Sequence, residues 1–325
     1  MGIKNLNRFL NENCSKNAIR KIEFYQLNSK KVVIDASIYM YKYMAENALI
    51  ENMYLLISIL LSNNIIPLFV FDGKPPPEKY DLLRQRKADK TVAESKYSEL
   101  LIKYNNTDDI NKNAKRIMMK ELNELKHKFV RVTNNDKCRV KQLLTAYGIM
   151  YYESINEADE ICAYMVKSGK AWACLSDDMD MFLYGCTRVL RNVSLLHKSV
   201  ILYDTPIILK ELCMPDDHFK QIMVLSGTDY NMHTSTTLDT TISWYTKFKT
   251  WLLTNTEHDD TTFYKWLLSN CNYITDINTL NDICDLFNIT HIYKEPSVKD
   301  IEIQLGPCNY NDLRDIMEQE GFVFT

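Results

Sequence analysis

The sequence predicts an α/β protein: a mostly parallel central sheet flanked by helices, with a helical insertion and a helical C-terminal part. Three observations predict it. Short β-branched or aromatic runs alternate with longer apolar stretches between residues 31 and 203, the pattern of repeated βαβ units. Residues 77–141 interrupt that alternation with long basic segments of helical period. From residue 205 onward the pattern is mainly helical.

The first strong strand is 31–35, KVVID, a β-branched run ending in Asp35. An apolar helix over 38–61 leads to a second strand, 67–71, ending at Asp72. A helix between two buried apolar strands is a parallel unit. The run GKPPP at 73–77 then stops the strand and turns the chain outward. Helices follow over 77–101 and 115–130, separated by a polar break at 105–113, and a third over 134–146 returns the chain to a short strand at 149–152. A helix beginning at Asn156 or Glu157 runs to Ser168, and the strand 171–175 ends in SDDMD. Runs at 187–192 and 199–203 continue the sheet or form a hairpin, and a helix at 219–225 precedes LSGTDYN.

With 325 residues, 46% apolar and 25% charged, the composition excludes disordered, collagen-like and low-complexity classes. The segments divide as 1–76 and 142–231 for the two parts of a core, 77–141 for the insertion and 232–325 for the C-terminal region. The most apolar window, 53–71, is broken by Ser58, Ser62, Asn63, Asn64 and Pro67, so it reads as helix, turn and strand and not as a membrane span. The N-terminal residues are polar and lack the apolar core of a secretory signal, which points to an intracellular protein. Nine cysteines, without Cys-x-x-Cys or zinc spacing, are expected to be reduced and mostly buried.

The net charge of −3 argues against a polyanion partner, but its distribution does not. Residues 74–141 hold 18 Lys/Arg against 10 Asp/Glu, a local net of +8 that leaves −11 for the rest. Residues 232–325 hold 6 basic and 14 acidic residues. Such asymmetry fits a polyanion held on one face; a solvated helical face would give it too.

Asp35 and Asp72 stand at the C-terminal ends of predicted parallel strands, where open α/β sheets bind ligands. Either could equally cap the next helix. Glu157, Asp159 and Glu160 open a helix, where acids also suit the helix dipole. Asp177, Asp178 and Asp180 follow an apolar strand and repel one another, and Asp229 follows a helix. Five acidic positions at element ends, without a partnering His or Cys, describe an oxygen-only site for hard cations. Two such ions about 3.5–4 Å apart activate water and steady the leaving oxygen of a phosphodiester. No phosphate loop, HExxH or GxSxG is present, and six histidines are scattered singly.

In order, MGIKNL, VVIDAS, FVFDGKPPP, NEADE, SDDMD and SGTDYN resemble the flap-endonuclease/XPG family of structure-specific 5′ nucleases. The resemblance covers residues 1 to about 231 and implies a PIN-like 5′-nuclease fold. Carried over by motif, the family's metal-site acids are Asp35, Asp72, Glu157, Asp159, Asp178, Asp180 and Asp229, holding two Mg2+ ions for which Mn2+ substitutes. Asp159 stands where relatives usually carry Glu, one methylene longer, so a water is expected to bridge there. Glu160 and Asp177 are neighbours without an assigned role.

The resemblance also implies a helical arch whose Lys79 and Arg86 reach the scissile phosphate; seven residues apart, they share a helical face. An ordinary exposed amphipathic helix would carry the same spacing. Lys87, Lys90, Lys115, Arg116, Lys120, Lys126, Lys128 and Arg131 are then expected to line the gateway and bind the strand without sequence preference. Tyr41 matches a base-stacking position, with a core tyrosine beside Tyr39 and Tyr43 as the other reading. Gly2 matches a glycine whose bare backbone approaches DNA.

After Asp229 relatives carry a glycine-rich turn that grips duplex and potassium, whereas residues 231–248 contain no glycine. No sliding-clamp peptide is recognisable. The expected substrate is DNA with a 5′ flap, nick or recessed 5′ end, cut by a monomer with no membrane partner. An inactive DNA-binding protein of the same fold and a 5′–3′ nuclease of RNA stay as alternatives. Abundant Asn, Ile, Lys and Tyr point to an AT-rich genome such as that of a large DNA virus, and to a cytoplasmic replication site or the nucleus.

Overall fold

A computed structural model describes residues 3, 5–106, 112–231, 236–255, 261–271, 274 and 276–323. In chain order the elements are α1 (Leu6–Asn13), β1 (Ile19–Glu23), β2 (Lys31–Asp35), α2 (Ala36–Ala45), α3 (Leu49–Ser62), β3 (Ile66–Phe71), α4 (Tyr80–Asn105), α5 (Lys112–Lys128), α6 (Asn134–Ala146), β4 (Tyr151–Glu153), α7 (Ala158–Lys167), β5 (Ala173–Leu175), β6 (Arg188–Ser194) and β7 (Ser199–Asp204). The C-terminal part adds α8 (Thr205–Glu211), α9 (Asp216–Ser226), α10 (Leu238–Thr254), α11 (Phe263–Asn270), α12 (Ile277–Leu286), α13 (Pro296–Lys299) and α14 (Tyr310–Gln319).

The seven strands form one sheet in the order β1-β7-β6-β5-β2-β3-β4. Strands β6 through β4 in that order run parallel, and β7 pairs antiparallel with both β6 and β1. Both faces are covered, so the central strands are apolar on both sides. Val33, Leu68, Val70 and Cys174 pack with α7 and the C-terminal helices, while Val32, Ile34, Phe69 and Phe71 pack with α2, α3, α6 and α14. No helix among the described residues is long and apolar enough to cross a membrane; the 53–71 window is divided between α3 and β3.

Four expectations need correction. The helix expected over 38–61 is two, because Asn47 turns left-handed (φ 55°) and Ala48 N–H closes on Tyr43 O at 3.0 Å, ending α2. The strand expected at 31–35 is present with those bounds as β2, but a weaker strand, β1, precedes it; its buried-exposed-exposed-buried-exposed pattern lacks the alternation that marks a strand. α1 is a further element outside the expected set; Leu6 and Leu10 are buried, Phe9 packs on the same core, and Asn7 Oδ1 accepts from Arg191 and Tyr203. The cysteines are all free, but only Cys162, Cys174 and Cys186 are buried, while Cys138 and Cys213 are exposed.

The insertion is a helical hairpin of α4 and α5, which pack on each other with Tyr97 edge-on to Phe129 at 5.3 Å. Its core is thin: among the described residues of the two helices only Leu82, Ala93, Leu122 and Leu125 are buried.

Candidate active site

The neighbouring order β5-β2-β3-β4 sets four parallel C-terminal strand ends side by side, and each delivers carboxylates to one edge. Asp35 ends β2 and splits its two oxygens. Oδ1 accepts from the Ser37 and Ile38 N–H groups at 3.0 and 3.3 Å, capping α2, while Oδ2 accepts from the Ser176 hydroxyl at 3.4 Å. The capping role and the place at the edge therefore coexist in one side chain.

Asp72, after β3, caps a helix other than its own. Its Oδ1 accepts from the Ala158 N–H at 2.8 Å, the first residue of α7. Gly73 makes this contact possible. Its N–H donates to Asn156 O at 2.7 Å, and a Cβ at this position would lie 2.0 Å from Ser154 O. Only glycine allows that approach, which brings Glu157 and Asp159 beside Asp72.

Asp178 and Asp180 follow β5 in a turn where the Asp180 N–H donates to Asp178 Oδ1 at 3.0 Å. Asp229 is presented by a knot after α9. Gly227 leaves the helix with φ 105°, and Asn231 Oδ1 accepts from the Thr228 N–H and hydroxyl at 2.8 and 2.6 Å.

Asp35, Asp159, Asp178 and Asp180 are buried, and the charges feel one another. Burial, then the charges of Asp72 and Asp178, raise the Asp35 carboxyl well above the ordinary range. Burial raises Asp159 in the same way, reinforced by Asp178 and Asp35, and raises Asp180, reinforced by Asp178 and Asp229. Two cations offset part of this repulsion. Lys79 Nζ lies 2.8 Å from Glu157 Oε2, and Arg86 Nη2 lies 2.7 Å from Asp229 Oδ2. Burial pulls the Lys79 ammonium down, but Tyr230, Glu157 and Asp159 outweigh it and its pKa is raised.

The donor set fits hard divalent cations: it is all carboxylate, it is mutually repelling, and Asp180 Oδ1 is buried without a hydrogen-bond partner. As placed, no three His, Cys, Asp or Glu side chains among the described residues form a ready-made ion cage. Glu157 and Asp229 are each paired with a cation of the protein, Lys79 and Arg86.

Above the acids opens a cleft of about 810 Å3. Asp35, Asp72, Glu157, Asp159, Asp178 and Asp229 line it, while Asp180 is buried and does not. Lys79, Arg86, Lys87, Lys90, Lys128 and Arg131 line it as well. Lys115, Arg116, Lys120 and Lys126 on α5 do not line it, and Lys120 pairs with Glu124 at 3.9 Å. Lys79 and Arg86 are also not on one continuous helix. Lys79 belongs to the short turn Pro77–Lys79 before α4, and the two reach different acids.

Tyr41 faces the cleft at 45% exposure while Tyr39 and Tyr43 are buried, which separates the two readings of that face. Lys90 Nζ sits 5.0 Å over the Tyr41 ring and donates to Val130 O at 2.9 Å. Gly2 lies outside the described residues, as do residues 232–235 of the glycine-free run. Glu160 turns away toward His291 at 3.6 Å, and Asp177 accepts from the Asn192 N–H at 2.7 Å, so neither joins the cluster.

Residue-by-residue reading missed four members of the site. Tyr230 donates its hydroxyl to Glu157 Oε2 at 3.1 Å, and Ser176 bridges β5 to Asp35. Both stand inside motifs already singled out, SGTDYN and SDDMD, where attention to the acids concealed them. His127 and Lys137 line the cleft; only the folding of α5 and α6 brings them there.

Comparison with known proteins follows the same residues. The XPG N-terminal domain model matches residues 1–93 and the XPG I-region model residues 148–229. Flap endonuclease 1 of Methanococcus aeolicus is 37% identical over 173 residues, covering 53% of this chain and 49% of that protein. Flap endonuclease 1 of Chlamydomonas reinhardtii is 32% identical over 254 residues, covering 71% and 59%. The chain thus spans between half and three-fifths of the length of these curated relatives. The catalytic core of Rad2 in complex with DNA substrate shares the fold with a TM-score of 0.67 at 22% identity, over 99% of this chain and 96% of that one. Flap endonuclease-1 from Methanococcus jannaschii gives 0.61 at 22% identity, over 93% and 90%.

Proposed function

The chain belongs to the XPG family, and from that premise we propose that it is a divalent-metal-dependent, structure-specific 5′ nuclease of branched or nicked DNA. One observation carries the reading: carboxylates that follow four neighbouring parallel strand ends line one cleft together with six Lys and Arg side chains of the insertion. Asp35, Asp72, Glu157, Asp159, Asp178, Asp180 and Asp229 would hold two Mg2+ ions, with Mn2+ as a substitute. Bound there, the ions supply a water of lowered pKa and neutralise charge on the leaving oxygen.

The remaining work falls to side chains. Lys79 and Arg86 exchange their carboxylate partners for phosphate oxygens, Arg86 with a fork of donors, and stabilise the charge that develops on the reacting phosphate. Lys87, Lys90, Lys128 and Arg131 hold the strand by its phosphates, and Tyr41 offers a ring for a base. In this reading residues 77–141 are the gateway and 232–325 a divergent helical region. The protein acts as a monomer in replication, repair or recombination. Its composition supports an AT-rich source such as a large DNA virus, with action at a cytoplasmic replication site or in the nucleus.

The test is cleavage of a 5′-labelled double-flap DNA with Mg2+, beside an EDTA control. Metal-dependent cutting at the junction is expected. Mononucleotide release from a recessed 5′ end would shift the reading to an exonuclease, and binding without cutting would establish an inactive scaffold.

A further inference from the structure

Lys79 is held by more than its acid. Its Nζ lies 4.8 Å over the Tyr230 ring, and the Tyr230 hydroxyl donates to the same Glu157 carboxylate that Lys79 pairs with. Lysine, glutamate and tyrosine therefore close a triangle at the base of α4. Tyr230 in turn rests on a residue far along the chain. Phe287, which ends α12, stands edge-on to Tyr230 at 5.4 Å and 84°.

The same Phe287 ring is edge-on to Tyr184 at 5.1 Å and 69°, and the two tyrosine hydroxyls are 3.5 Å apart. Tyr184 belongs to the turn of Asp180, since its N–H donates to Asp180 O at 3.2 Å. Tyr230 directly follows Asp229. One buried phenylalanine of the C-terminal region thus touches the loops of two acids and, through Tyr230, the arch lysine. Edge-to-face contacts and a cation over a ring both depend on ring placement, so a shift of Phe287 alters the Lys79 position.

We propose that Tyr230 and Phe287 are positioning residues: they set Lys79 against Glu157, so the helical C-terminal region fixes the geometry of the arch base. Neither touches the reacting atoms. The ring of Tyr230 seats the ammonium and Phe287 seats the ring, while the hydroxyl orients Glu157. The proposal rests on the nuclease reading for its consequence in catalysis, but not for the placement of Lys79.

The experiment pairs two readouts on Tyr230→Leu, Tyr230→Phe and Phe287→Leu in the full chain. Reductive methylation, followed residue by residue by mass spectrometry, reports access to Lys79 without DNA or metal. Single-turnover cleavage of the double flap, with flap affinity measured in Ca2+, separates rate from binding. Tyr230→Leu and Phe287→Leu are expected to raise Lys79 labelling several-fold and to lower the cleavage rate about tenfold, with affinity within about twofold of wild type. Tyr230→Phe keeps the ring and is expected to leave labelling unchanged. Wild-type labelling in both leucine variants would overturn the proposal, as would Tyr230→Phe labelling as fast as Tyr230→Leu. A wild-type protein that does not cut would defeat the nuclease reading and leave the labelling test standing.

Discussion

At the sheet edge, the carboxylates are placed by the backbone: Asp35 by the first turn of α2, Asp72 by the start of α7, Asp178 by the N–H of Asp180. Most of the cations that line the same cleft ride on a hairpin that, among its described residues, buries four apolar side chains. That hairpin meets its surroundings through long side chains, such as Lys90 on Tyr41 and Arg86 on Asp229. The carboxylates stand at strand ends of a seven-stranded sheet, whereas few apolar side chains among the described residues of the hairpin are buried. Under the proposed function the first region would do the chemistry and the second would hold the strand.

Removing acids of the first region should have the largest effect. Asp178→Ala with Asp180→Ala is expected to lower single-turnover cleavage on the order of a thousandfold or more, with flap affinity largely kept. Lys79→Ala and Arg86→Ala, which join the two sides, should each cost about a hundredfold in rate and little in affinity. Comparable losses in affinity would instead place both residues with those that hold the strand.

The second region should respond to salt. Lys128→Ala with Arg131→Ala removes two phosphate contacts, so the slope of log affinity against log salt for a single-stranded flap should shrink by about 1.4. An unchanged slope would remove these two from the strand's path.

The smallest effect sharpens the electrostatic side of the comparison. Asp35, Asp159 and Asp180 have carboxyls raised in the folded protein, so the folded state binds protons more tightly than the unfolded chain. Their contribution favours folding below the ordinary carboxylate pKa of about 3.9 and is lost as pH rises through the raised values. Without metal, Asp180→Asn should therefore raise the unfolding temperature at pH 8 and gain less at pH 5. Added Mg2+ should narrow the difference between variant and wild type at pH 8. A thermal-unfolding series at both pH values checks the sign.

The same contrast explains what was legible in the sequence. An acid after an apolar strand can be read directly, because strand direction alone decides which edge it reaches; Asp35, Asp72 and Asp178 needed nothing more. The α6 boundaries match residue for residue, since Thr133 and Asp136 form a reciprocal cap. What could not be read depends on distant partners. Gly73 is required by Ser154, 81 positions on in a loop not yet folded in any local window, and Phe287 acquires its role only when α12 packs on Tyr230. The reach of the gateway was overestimated for the opposite reason. Charge counts place Lys115, Arg116, Lys120 and Lys126 in one basic segment with Lys87 and Arg131, but none of the four lines the cleft.

The most direct test of the account is Mn2+ binding followed by the electron paramagnetic resonance of the free ion. Wild-type protein should quench the signal of about two equivalents, as a two-ion site requires, and Asp178→Ala with Asp180→Ala should quench little of it while staying folded. Equal quenching by both proteins would contradict the assignment of the sheet edge as the metal site.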